Sequence, residues 1–204
     1  MSTATMTREE HLEDFNRCRF GMIVFLISEA MLFIGLIASY VVYRMSNPDF
    51  IHAELDIYRI KLPDVTTMNV IMLMNTVILI GSSFTYHFAE VALIKGKKGV
   101  IPLMLLTILM GSIFLGVQGY EWLHLKHEGL WINTASVYGA NFFTLTGFHG
   151  AHVTIGVLLL IWVLIKIMTG NQTRENHTAV MCVGLYWHFV DVVWVFLFTV
   201  LYLW

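Results

Sequence analysis

The chain has 204 residues, of which 57% are hydrophobic and 13% charged, and its formal net charge is −2. With a mean hydropathy of +0.72 it lies far outside the range of soluble globular domains and reads as an integral membrane protein. The slight acidic balance and the lack of a Gly-rich phosphate loop give no support to a nucleic-acid partner or to nucleotide chemistry.

In chain order, residues 1–19 come first, a polar segment containing STATMTREEHLEDFNRCR. It has no apolar core and no cleavage site, so it is expected to stay on the chain as a cytoplasmic N-terminal segment. Five apolar runs follow, at about 20–44, 66–92, 99–123, 138–168 and 180–204. Each is long enough to cross a hydrocarbon core of about 30 Å as a helix at 1.5 Å per residue. Runs of this length exclude the short alternating segments of a transmembrane barrel. The fold class is therefore an all-α integral membrane protein, a bundle of five transmembrane helices forming one domain over 20–204.

The first run, FGMIVFLISEAMLFIGLIASYVVY, carries Glu29 near its middle. The linker after it, MSNPDFIHAELDIYRIKLPDV, is bracketed by Pro48 and Pro63 and suits a short helix lying at the membrane surface. The second run holds Asn75. Toward the end of the third come Gln118 and Glu121, which are expected as interfacial groups, as is Glu90 near the end of the second. The fourth contains GFHGAHVTIG, with His149 and His152 among Gly147, Gly150, Ala151 and Gly156. The fifth contains YWHFVDVVW, residues 186–194, with His188 and Asp191 beside Trp187 and Trp194.

Lysine and arginine counts orient the bundle. Arg8, Arg17, Arg19, Lys95, Lys97, Lys98, Lys166 and Arg174 share one side, against Arg44, Arg59, Lys61 and Lys126 on the other. The excess predicts the N-terminus inside and the C-terminus outside. Cys18 and Cys182 then fall near the reducing face and read as plain thiols.

Depth along each helix concentrates the polar residues in one layer. Glu29 lies about 13 Å from the inner end of its run, His149 and His152 about 9 to 13 Å, and His188 and Asp191 about 12 and 16 Å, with Asn75 nearby. Charged groups at such depths face protein rather than lipid. The pairs at i and i+3 each share a helix face, and Glu29 is the preferred partner of the histidines. The reading favoured by the residues alone is a buried hydrogen-bond network of Glu29, Asn75, His149, His152, His188 and Asp191 that fixes helix register. A haem or metal between histidine-bearing helices and a proton relay are the sharper alternatives. No catalytic, cofactor or metal-ligating residue is assigned in this chain.

Five stretches carry a family resemblance: ISEAMLFIGLIASY, MNTVILIGSSFTYHFAE, FLGVQGYEW, YGANFFTLTGFHGAHVTIG and YWHFVDVVWVFLFTVLYLW. In this order, from Phe20 to Trp204, they resemble the signatures of subunit III of cytochrome c oxidase. The resemblance implies a non-redox accessory subunit of a proton-pumping haem–copper oxidase. Such a subunit packs on catalytic subunit I beside the electron-entry subunit II, in a bacterial plasma membrane and in some cases within a respiratory supercomplex. Haem and copper are expected in those partners and none in this chain. The family further implies support of proton uptake, bound phospholipid, and a buried carboxylate at the position matched by Glu29. The common mitochondrial form has seven spans, and this chain begins at what would be the third. Subunit III of quinol oxidases and a homologue associated with nitric oxide reductase are similar enough to remain alternatives. From another class, a proton-coupled transporter built on Glu29, the histidines and Asp191 is the competing reading.

Overall fold

A computed structural model describes residues 8–47, 65–131, 137–172 and 176–203. Every regular element among them is helical: α1 (Arg8–Ser46), α2 (Val65–Ile94), α3 (Val100–His127), α4 (Val137–Met168) and α5 (Thr178–Phe198), the last running into a π-helical turn, Thr199–Leu203. Among the described residues, five helices are long and apolar enough to cross a membrane. The expected surface helix between Pro48 and Pro63 lies outside the described residues.

The expected boundary at residue 19 leaves no break in the backbone, because α1 is one helix of 39 residues from Arg8. At 1.5 Å per residue that is about 58 Å, well beyond a hydrocarbon core of about 30 Å. Its polar first turns therefore continue the membrane span, with Arg17 paired to Glu13 at 2.9 Å on the exposed surface.

Short turns hold neighbouring helices antiparallel. After α2, Gly96 adopts φ 64°, and Lys97 N–H bonds Ala92 O at 2.8 Å. Gly129 repeats the device after α3, with φ 92° and Leu130 N–H donating to Leu125 O at 2.9 Å. A positive φ of this kind closes the last helical carbonyls and strains any residue with a Cβ.

The helix order in space differs from that in sequence. α5 is the hub, packed on α1, α2 and α4, and 61% of its most apolar window is buried against 6% for α1. Trp187 of α5 explains the hub. Its ring lies between Gly111 of α3 and Gly156 of α4, where an added methyl would stand 2.8 and 2.7 Å from ring carbons, and its Nε1 donates to Ser82 of α2 at 2.9 Å. Trp194 Nε1 likewise donates to Thr76 of α2 at 2.9 Å. Lipid gives helices little hydrophobic reason to associate, so close backbone approach and such interhelical bonds hold the bundle. Of the small residues that mark possible close-packing faces, Gly111 packs inside the bundle, whereas Gly35, Gly116 and Gly119 meet nothing within 4 Å and Ser39 is exposed.

Candidate functional site: three polar clusters

The first cluster joins α1 to α4. His152 Nε2 lies 3.0 Å from Glu29 Oε2, and His152 Nδ1 lies 2.7 Å from the Phe148 carbonyl. A carbonyl only accepts, so Nδ1 carries a proton and donates. The contact of Nε2 with Glu29 then requires one further proton between the two, on the acid or on the ring. Either form of the pair is neutral overall, which suits a site shielded from water. The ring of Phe33 meets His152 edge-on at 5.1 Å, and Tyr186 stacks on it at 6.4 Å.

The second cluster joins α2 to α5. Ser83 Oγ is 2.9 Å from His188 Nδ1 and also donates to Asp191 Oδ2. Asp191 is 5% exposed, and its Oδ1 has no hydrogen-bond partner among the described residues. One turn away, Tyr86 donates to the Val180 carbonyl at 2.6 Å, and its ring stands edge-on to His188.

The third cluster lies toward the other end of the bundle and contains the two residues expected as interfacial groups. Glu121 and Gln118 are not at a solvated helix end; they are 2% and 4% exposed. Gln118 Nε2 donates to Glu121 at 2.7 Å, and Tyr202 OH lies 2.9 and 2.8 Å from the two carboxylate oxygens. Residues near a helix end are buried here because the π-helical turn continues α5 alongside α3 and brings Tyr202 over the carboxylate.

The remaining members of the expected layer stand apart from these clusters. Asn75 donates to the Phe114 carbonyl at 3.2 Å. His149 does not meet Glu29. Its ring stacks on Trp194 at 4.8 Å with Phe114 edge-on, and neither ring nitrogen has a hydrogen-bond partner among the described residues. Positions i and i+3 differ by about 60° around a helix axis, and that is enough to send His149 inward and His152 toward α1. One layer thus divides into separate hydrogen-bonded groups. Among the described residues no three His, Cys, Asp or Glu side chains gather closely enough to hold a metal ion. Cys18 and Cys182 are free thiols.

Ser83 and Tyr202 are the partners that sequence reasoning missed. Serines and tyrosines are too common in membrane helices to stand out. Depth offers a signal in retrospect, since Ser83 faces α5 at the level of Asp191, and Tyr202 reaches the level of Glu121.

The family model described as cytochrome c oxidase subunit III matches residues 2–204. The chain is similar to cytochrome c oxidase subunit 3 of Thermostichus vulcanus, at 40% identity over 189 residues that cover 90% of this chain and 85% of that one. It is 41% identical over 188 residues to cytochrome c oxidase subunit 3 of Corynebacterium diphtheriae, covering 92% and 88% of the two chains. Quinol oxidase subunit 3 of Bacillus spizizenii is similar as well, at 36% identity over 185 residues and 90% and 85% coverage.

Proposed function

The chain belongs to the cytochrome c oxidase subunit III family, and from that premise we propose that it is the non-redox accessory subunit of a proton-pumping haem–copper terminal oxidase in a bacterial plasma membrane. The observation that carries the reading is the family match over almost the whole chain, with several relatives covered over most of their own length. Its partners are the catalytic subunit I and the electron-entry subunit II, which hold the haem and copper. The N-terminus faces the cytoplasm. Similarity to both cytochrome c oxidase and quinol oxidase subunits fits a chain that supports the catalytic subunit while other subunits select the electron donor.

The geometry supports a packing role. Each cluster ties two elements together, Glu29 and His152 joining α1 to α4, Ser83 and Asp191 joining α2 to α5, and Glu121 and Tyr202 joining α3 to the final turn. Phospholipid is part of the proposal. An apolar groove of about 410 Å³ runs between α1 and α5, lined by Phe33, Ile37, Val41, Phe189 and Val193 among others, and its dimensions suit an acyl chain.

The test is purification through a tag on this chain in mild detergent, followed by a visible spectrum. Haem-bearing partners are expected to co-purify and to take the haem absorption with them when the chain is stripped away. A chain that purifies alone and moves a solute across liposome membranes would instead establish the transporter reading.

A further inference from the structure

We propose that Ser83 couples Asp191 to His188 as a half-buried proton relay in the seam between α2 and α5, opening to one end of the bundle past His87 and Glu90. A serine hydroxyl has one proton and two acceptor lone pairs, and this one contacts both Asp191 Oδ2 and His188 Nδ1. When Ser83 donates to the carboxylate, Nδ1 must bring its own proton and donate to Ser83. When instead the acid holds the proton and donates to Ser83, the hydroxyl is turned to Nδ1. The three residues therefore share two arrangements that differ only in where protons sit.

Passage from the second arrangement to the first is balanced. The O–H bond of Asp191 breaks as Ser83 Oγ takes that proton, and the original O–H bond of Ser83 breaks as His188 Nδ1 takes the other. Asp191 loses one proton, His188 gains one, and Ser83 ends as it began. A lone hydrogen-bonded pair for register would need only one of these contacts.

The surroundings favour exchange within the trio. Neighbouring donors are engaged elsewhere, Tyr86 OH with the Val180 carbonyl and Trp187 Nε1 with Ser82. Glu29 is held by His152 on another face, and His149 packs against Trp194. The remaining titratable groups of the seam lead to one end. His87 and Glu90 follow Ser83 at i+4 and i+7 along α2, on the same helical face, and His87 is exposed while Glu90 is half-buried. α5 runs antiparallel to α2, as the contacts Ser83 to His188 and Tyr86 to Val180 require. Its start therefore lies at that same end, with Cys182 in its second turn and His177 at the position just before its first residue. The relay depends on the chain's own hydrogen bonds and not on which oxidase contains it.

The experiment uses the full chain in lipid bilayers with ¹⁵N-labelled histidine and reads the ring nitrogens of His188 by NMR. Asp191→Asn is expected to shift the Nδ1 resonance of His188 when Ser83 is present. That response is expected to vanish in Ser83→Ala and to return in Ser83→Thr, which restores a hydroxyl. Ser83→Cys, a near-isostere that bonds weakly, should lose most of the response and provides a second reading if the alanine variant folds poorly. Unchanged His149 resonances certify the fold in each case. A His188 response of equal size with and without the hydroxyl, or no response in the presence of Ser83, overturns the relay. Neither outcome bears on subunit membership, which the purification experiment decides separately.

Discussion

Glu29 and His152 meet at 3.0 Å across the α1–α4 contact, with the second histidine nitrogen committed to the Phe148 carbonyl, so the two side chains share one proton. α1 is otherwise the least buried helix of the five. A single polar contact therefore weighs more in its attachment than it would in α5.

Glu29→Ala is expected to weaken the docking of α1 by about 1 kcal/mol, the scale of an interhelical hydrogen bond in a membrane. Glu29→Gln keeps a donor that the unprotonated Nε2 accepts, and it should lose much less. Thermal unfolding of the two variants in mild detergent compares them. In the assembled oxidase, Glu29→Ala is expected to leave initial O₂ consumption intact and to shorten the active lifetime, which repeated-turnover assays measure. Immediate and complete loss of oxidation with normal haem content would show a direct catalytic part instead.

Gly156→Ala places a methyl 2.7 Å from the Trp187 ring, and that ring is already bounded on its other side by Gly111. Overpacking of this kind costs about 1–3 kcal/mol. Gly116→Ala, with nothing within 4 Å, should leave the unfolding temperature of the isolated chain unchanged. Equal effects of the two substitutions would mean that Trp187 is not clamped as described.

Tyr202→Phe removes the donor that reaches both oxygens of Glu121 and leaves Gln118 as its remaining hydrogen-bond donor among the described residues. A loss of about 1 kcal/mol is expected. Glu121→Ala should cost more, since it strips Gln118 and Tyr202 together of a buried acceptor. Unfolding of the two single variants and the double variant forms a cycle that isolates the coupling.

The chain should not persist well by itself. Its first helix leaves Phe20, Ile27, Met31 and Ile34 exposed, and lasting association in lipid depends on close packing with a neighbour. The isolated chain is expected to unfold at lower temperature and to be degraded faster than the same chain with the catalytic subunit. Identical behaviour in both settings would rule out obligate docking.

Much of the architecture was legible before any coordinate. Hydrocarbon thickness and a rise of 1.5 Å per residue turn an apolar run into a span and give each residue a depth. That is why the expected runs 138–168 and 66–92 lie close to the observed α4, Val137–Met168, and α2, Val65–Ile94. Depth also set Glu29 level with the two histidines, and Asp191 level with His188.

Depth is one coordinate, and the others belong to the tertiary structure. Sequence cannot say that α1 packs on α5, because spans of similar hydrophobicity satisfy the lipid equally in any lateral order. Nor does it say which way a side chain turns about its helix axis. About 60° separates His152, which meets Glu29, from His149, which meets Trp194. The burial of Glu121 likewise waited for the π-helical turn that carries Tyr202 to it. The sequence by itself determined five spans and gave Glu29, the histidines and Asp191 an expected level along them, since both follow from local chain geometry and the cost of polarity in hydrocarbon. The lateral arrangement of the helices, and with it the choice of partner within each level, was decided only by packing, where Trp187 fits between two glycines and Glu29 and Asp191 take the partners that neighbouring helices present.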